Sequence, residues 1–212
     1  FIPPITGIKD VPYWTHREAL DNKEVPASLA IIGGGVIGME FASFFNSLGV
    51  KVIIVEMLDE ILGGMDKELS AMLRAEYTKR GIDFLLGAKV IAVNNDEEGF
   101  HVSWEKGEES GCVTAEKLLM SVGRRPVNKG FGLENLDINK TERGSIIVND
   151  EMETSLSNVY VCGDLTGSSM LAHTASREAE VAVHSILHKL GKLSQGDKMS
   201  YRAIPGVVYT NP

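Results

Sequence analysis

Apolar and polar positions change texture several times along this chain, and each texture predicts a different element. Up to Pro26 the sequence is broken by Pro3, Pro4 and Pro12, so it cannot be one continuous helix, although THREALDN from Thr15 can make a capped turn or two. From Leu29 an apolar run predicts a short strand. A glycine cluster follows, Val36 to Leu48 carries helical spacing, Gly49 stops it, and Lys51 to Val55 is apolar again. That order is a βαβ unit, whose crossover makes the two strands parallel.

Farther on, Asp66 can cap a helix in which Leu69, Met72, Leu73 and Tyr77 fall at helical spacing and predict a face packed on the sheet. Lys79 and Arg80 occupy its last turn and Gly81 ends it. IDFLL predicts a third strand. AKVIAV and GFHVSW, joined by the polar NNDEEG and followed by the polar EKGEESG before KLLMSVG, predict an antiparallel insert. Around Asn149 the texture changes again: IIVND and NVYVC read as strands, the second ending at Gly163-Asp164, and a helix runs from about Ala172 to Leu190. The tail GDKMSYRAIPGVVYTNP is extended, and its strand-like GVVYT has no partner in its own segment. No solenoid-period repeat or low-complexity tract interrupts the chain. The fold class is therefore α/β, a parallel sheet with an antiparallel β insert, followed by a separate unit.

A length of 212 residues accommodates one large domain or two modest ones, and the change of texture favours two. The net charge of −8, with no basic cluster, argues against nucleic acid and anionic membranes as partners and favours a small soluble ligand. No apolar run approaches the roughly 20 residues that span a bilayer, and FIPPITGIKD lacks the basic-then-apolar order of a signal peptide. A soluble, cytoplasmic protein is expected. Cys112 and Cys162 form no CxxC or zinc pattern and read as small buried hydrophobes in a reducing compartment. His184 and His188 stand at i,i+4 but lack a third ligand or an HExxH acid, so no metal site is expected and a solvated or partly packed pair is. The acidic runs Asp96-Glu97-Glu98 and Glu108-Glu109 read as solvated turn tips.

The chemistry concentrates at the glycine cluster. Gly33-x-Gly35-x-x-Gly38 sits between a strand and a helix, where the first glycine permits a tight turn, the second lets backbone approach a pyrophosphate, and the third lets helix and strand pack closely. Bare amides and the positive end of the helix dipole then face the phosphates. Glu56 follows Gly38 by 56 − 38 = 18 positions and ends the next strand. A carboxylate there accepts from the 2′- and 3′-hydroxyls of an adenosine ribose and repels a 2′-phosphate, which predicts NAD over NADP. Glu40, one turn into the helix, fits equally a solvated acid favoured by the dipole. Gly123 fits a strand-ending turn or a close backbone approach, Asp164 a helix cap or Asx turn as well as a ligand contact, and His173 a plain cap-region histidine.

Taken together, GGGVIGMEFASFFNSLG, VIIVE, SVGRRPVNKGFGLE, NVYVCGDLTG and MLAHTASREAEVAV resemble the FAD-dependent pyridine nucleotide-disulfide oxidoreductases, nearest to their dihydrolipoamide dehydrogenase branch. The resemblance implies that residues 28–149 form a Rossmann-like NAD-binding domain, with 1–27 a connecting segment from an FAD domain, 150–196 an incomplete FAD-domain segment and 197–212 the start of an interface domain. It further implies that Gly33, Gly34, Gly35, Val36, Ile37, Gly38, Met39 and Glu40 cradle the NAD pyrophosphate and reach toward nicotinamide. By the same resemblance Glu56 binds the adenosine ribose, Val90 lines the adenine side, and Gly123 passes close to the nicotinamide half. Asp164 would bond the ribityl chain of FAD, and Met170, Leu171, Ala172 and His173 would contact the flavin, the helix there aiming amides at its pyrimidine edge.

Family members move electrons from a dithiol, through a disulfide and FAD, to NAD⁺. The implied partners are a lipoyl domain of a 2-oxo acid dehydrogenase complex and a second copy of the chain. No second GxGxxG, CxxxxC disulfide or family-type His-Glu base occurs, so the chain is expected to be an inactive piece of a longer enzyme with no catalytic residue of its own. Other disulfide reductases of the mercuric or glutathione reductase kind, and a stand-alone dinucleotide-binding module, are the alternatives.

Overall fold

Strand β1 (Ser28–Ile32) is buried almost throughout, which explains why it reads as an unbroken apolar run instead of alternating. In the computed structural model, which describes residues 1–211, it lies inside a parallel sheet. The neighbours are β2 (Lys51–Glu56) and, beyond it, β3 (Asp83–Leu86) on one side, and β7 (Lys117–Met120) on the other. Ile31 stands opposite both Ile54 and Leu119, a register that lines up the apolar side chains of three strands.

Each face of this sheet is covered. Leu29, Ile31, Val52, Ile54 and Leu119 pack under helices α2 (Val36–Ser47) and α3 (Lys67–Lys79) through Met39, Ala42, Phe45 and Tyr77. On the opposite face Ala30, Ile32, Leu118 and Met120 meet a three-stranded antiparallel sheet, β4 (Lys89–Asp96), β5 (Gly99–Lys106) and β6 (Glu109–Ala115), through Val93, Phe100, Val102 and Ala115. The antiparallel insert is thus present with one strand more than the pattern predicts, because ESGCVTA, read as turn and linker, pairs along its whole length with β5.

Short segments tie down the start of the chain. Helix α1 (His16–Asp21) opens with a capping box in which Thr15 and Glu18 satisfy one another's backbone amides. Just before it, Trp14 exchanges backbone hydrogen bonds with Leu118 and Met120 at 2.7 and 2.8 Å, and Thr6 does the same with β4.

Two expectations about helix faces and cysteines need correction. Leu69 and Met72 are 60% and 63% exposed, while Ser70 and Tyr77 are buried and Leu73 packs on the core. Positions 70, 73 and 77 form the buried stripe of α3, and Leu69 and Met72 fall to one side of it. Ser70 tolerates burial because its hydroxyl donates to the Asp66 carbonyl at 3.0 Å. Cys112 and Cys162, expected to be buried, are both exposed free thiols.

The described chain divides into two units, Phe1–Gly123 with the tail from Val207, and Arg124–Gly206. Residues 124–149, expected with the first domain, belong to the second unit, because Leu133, Ile138 and Ile146 share a cluster with Val161. In that unit the expected strands IIVND and NVYVC do not form ladders. Their pairing is reduced to single bridges, Lys140 with Ile146 and Glu153 with Tyr160, since no second continuous run in the unit lies alongside them. Its one long element is α4 (Ala172–Lys189), which buries Val181 and Ala182 against Met152 and Met199.

Candidate functional site

At the C-terminal end of β1 the glycines divide by what the fold demands of them. A Cβ on Gly38 would sit 2.0 Å from the Gly33 carbonyl oxygen, and one on Gly33, at φ +104°, would sit 2.5 Å from the Ser121 carbonyl oxygen. Both are therefore required to bring α2 and β7 against the strand end. Gly35 differs: its φ is −72° and a Cβ there would meet nothing within 4 Å. It is the N-cap of α2, and no side chain caps the helix. The first-turn amides consequently face open space with the positive end of the dipole behind them.

Glu56 closes the other wall. Its carboxylate accepts from the Gly34 amide at 2.6 Å and from the Leu58 amide at 2.8 Å, one bond on each oxygen. That grip fixes the carboxylate beside the glycine loop and leaves each oxygen a further lone pair. The Ala88 amide donates to the Glu56 carbonyl at 2.9 Å, which brings the start of β4, and with it the half-buried Val90, next to the end of β2. The loop after β2 is held by Glu60, bidentate on Arg74 at 2.8 and 3.0 Å, and the Arg74 guanidinium keeps the Glu60 carboxyl below its ordinary range. Gly123, at φ +102° with nothing within 4 Å of a Cβ, follows β7 on the same side of the unit.

Two predicted residues occupy different places from those expected. Met39 is fully buried in the core, and its amide is taken by the Gly35 carbonyl at 2.9 Å, so neither its side chain nor its N–H is available to a ligand. The Glu40 carboxylate accepts from the Tyr209 amide at 3.0 Å, because the tail lies along α2 and α3. There Asn211 bonds Ser43 and Tyr77, and Val208 packs on the helical core. Glu40 also borders an apolar hollow of about 390 Å³ between α1 and α2, lined by Leu20, Val25, Phe41 and Phe44, on the flank of the helix and not at its N-terminus.

In the second unit Gly163, at φ +73°, opens a 3₁₀ turn that carries Asp164 outward, exposed. Helix α4 begins soon after at Ala172, with Leu171 as an N-cap that offers no side-chain bond, and Met170 to His173 lie at this bare end. His184 and His188 hold the far end of the helix to the loop that follows, through Asp197 at 3.2 Å and the Leu193 carbonyl at 3.1 Å.

A glycine loop, an acid at the next strand end and a second glycine-aspartate turn before a bare helix form a combination that can be compared with known proteins. Residues 1–179 match the model of the pyridine nucleotide-disulphide oxidoreductase family. The chain belongs to this family. A dihydrolipoyl dehydrogenase of Bacillus subtilis is 43% identical over 171 residues, covering 80% of this chain and 36% of that relative. The dihydrolipoyl dehydrogenase of Geobacillus stearothermophilus is 36% identical over 92% of the chain and 40% of its own length. Among solved structures, the HOCl-induced flavoprotein disulfide reductase RclA from Escherichia coli superposes with a TM-score of 0.81 at 28% identity, over 93% of this chain and 44% of that one. LpdA from Mycobacterium tuberculosis gives 0.81 at 27%, over 92% and 41%. The chain therefore spans about two fifths of the length of these relatives.

Within this oxidoreductase framework, four residues that pattern reading missed organise the sites. Ser121 donates to the Gly33 carbonyl at 3.1 Å and ties the first glycine to the end of β7. Glu178 of α4, fully buried, accepts from the Gly163 amide at 2.5 Å, Thr166 Oγ1 at 3.3 Å and Tyr201 Oη at 2.7 Å. Burial and that bond to Glu178 push the Tyr201 phenol up to about 12, and partial desolvation of the sulfur, on a residue that is exposed as a whole, together with the Glu178 charge raises the Cys162 thiol. Glu178, four positions after the buried Thr174 in a helix that otherwise buries small and apolar side chains, is the available signal, but only the fold shows what it faces. Among the described residues no group of acids, histidines and cysteines is arranged to hold a metal ion, and no helix is long and apolar enough to cross a membrane.

Proposed function

We propose that this chain is the NAD-binding portion of a dihydrolipoamide dehydrogenase. In the whole protein, protein-bound dihydrolipoamide on the lipoyl domain of a 2-oxo acid dehydrogenase complex is oxidised, and electrons pass through a disulfide and FAD to NAD⁺, in a cytoplasmic homodimer. In this reading the amides of Gly34 to Ile37 at the bare end of α2 receive the pyrophosphate, Glu56 accepts from the ribose hydroxyls, and Val90 and Gly123 border the adenine and nicotinamide ends. Asp164 and the segment Met170–His173 serve FAD, which when bound supplies hydride transfer to the nicotinamide. The chain's own part is to bind and orient both dinucleotides.

One observation carries this proposal: the fold does not need a glycine at position 35, yet the space above it is open and lies beside a carboxylate already held by two amides. A glycine standing where no neighbour demands one leaves room for something from outside to touch the backbone. The residues of both turns fit the two dinucleotides, with bare amides for phosphate and a free-facing acid for sugar hydroxyls. Calorimetry of the purified chain against NADH and NADPH tests the assignment. Preference for NADH is expected, and equal or tighter NADPH binding rejects the role of Glu56.

A further inference from the structure

We propose that Glu178 is a positioning residue that, with Tyr201, presets the Gly163–Asp164 turn for its ligand. The inference deepens the reading of Asp164 as a contact to the sugar-alcohol chain of a flavin dinucleotide, and rests on that reading for the identity of the ligand. Asp164 sits on a three-residue turn that opens at a positive φ, and its side chain is exposed. The residue immediately before it is held instead. The Gly163 amide donates to Glu178 Oε2, while Tyr201 Oη and Thr166 Oγ1 converge on Oε1. Thr166 also bonds the Gly163 carbonyl at 3.0 Å, so the peptide groups on both sides of Gly163 are tied to one cluster.

This carboxylate is fully buried and, among the described residues, makes no ion pair, an arrangement that costs free energy unless its oxygens accept hydrogen bonds. The Gly163 amide and the Tyr201 hydroxyl, from two separate segments, each donate to one oxygen, and Thr166 shares its single proton between Oε1 and the Gly163 carbonyl. Glu178 stands on the same helix whose bare N-terminus lies near Met170–His173, and the turn and the helix end are thereby locked into one rigid piece. A turn set in advance spares the ligand the ordering that it would otherwise impose on binding. Glu178 itself stays behind the turn, away from solvent.

The experiment uses the purified chain and four variants, Glu178→Gln, Glu178→Ala, Tyr201→Phe and Asp164→Asn. Three quantities are measured: exchange of the Gly163 amide proton by NMR, FAD affinity by flavin fluorescence, and NADH affinity as a check on the first unit. Glu178→Gln and Glu178→Ala are expected to speed Gly163 exchange and to weaken FAD binding about tenfold, the size of one charged hydrogen bond, with NADH binding unchanged. Tyr201→Phe, which removes a single donor, is expected to move both in the same direction by about threefold, and serves if the Glu178 variants do not fold. Wild-type exchange at Gly163 in these variants overturns the proposal, as does FAD affinity that falls in Asp164→Asn but not in Glu178→Gln. If the wild-type chain, which carries an incomplete FAD-domain segment, binds no FAD, Gly163 exchange alone decides whether Glu178 sets the turn.

Discussion

The two bare helix ends of this chain solve one problem in opposite ways. At α2 the turn is set by sheet geometry: β1, β2 and β7 run parallel in register, and Gly33 and Gly38 are the only residue type that the resulting close approaches permit. The acid of that site, Glu56, is itself held by backbone amides. At α4 no ladder exists to set the turn, the acid Asp164 is exposed, and a second acid, Glu178, does the holding from behind. Where a sheet supplies the frame, one carboxylate can both be fixed and face a ligand. Where it does not, those tasks fall to two residues.

That contrast can be broken by substitution. The largest effect is expected at Gly38→Val: the new side chain collides with the Gly33 backbone and Ser121, and denaturant unfolding should show a loss of about 3 kcal/mol or more in the first unit. Gly35→Val should cost little stability, because its surroundings are open, yet lower NADH affinity by about tenfold or more in calorimetry. Equal stability losses at the two glycines would remove the distinction between a glycine required by packing and one left for a ligand. Next in size, Glu56→Arg is expected to weaken NADH binding by about 1–3 kcal/mol, since a charged acceptor becomes a mismatched charge. Unchanged affinity would count against the acid at the strand end.

Smaller effects concern pH. The folded Tyr201 phenol lies at about 12, above its ordinary value of 10.0, so the protein favours its neutral form. The stability that follows is fully present below pH 10, and is lost as pH rises toward 12. Wild-type protein should lose this increment over that window while Tyr201→Phe does not, and absorbance of tyrosinate should report the late ionisation. The weakest effect is expected at Glu60, whose carboxyl is held low chiefly by its hydrogen bonds to Arg74. Stability from this pair is present above the ordinary glutamate value of 4.5 and lost as pH falls below it. Because both groups are partly solvated, Glu60→Gln should flatten the acid limb by less than about 1 kcal/mol.

How far these features could be read from residue order follows from the range of the forces involved. The βαβ order, the antiparallel insert and the caps at Thr15 and Asp66 rest on neighbours within a turn or a hairpin, and each appears where its pattern lies. Strand β6 escaped because ESGCVTA opens on Glu-Ser-Gly, which reads as a turn, and it gains its structure from β5. IIVND and NVYVC failed in the other direction, since an apolar run becomes a strand only when another backbone lies beside it. The resemblance places Met39 with the glycine loop, but as the fourth residue of α2 it buries its side chain in the core.

Local order along the chain determined the glycine turn, the helix it opens and the acid 18 positions on, because strand, turn and helix periods are short-range properties written in consecutive residues. The tertiary structure alone decided that Gly35 is open while Gly38 is closed, that Tyr209 reaches Glu40, and that Glu178 is the buried support of Asp164's turn. The bonds of Glu178 to Gly163 and of Tyr209 to Glu40 join residues 15 and 169 positions apart, and a hydrogen bond forms by distance in space, which residue spacing does not encode until the chain has folded.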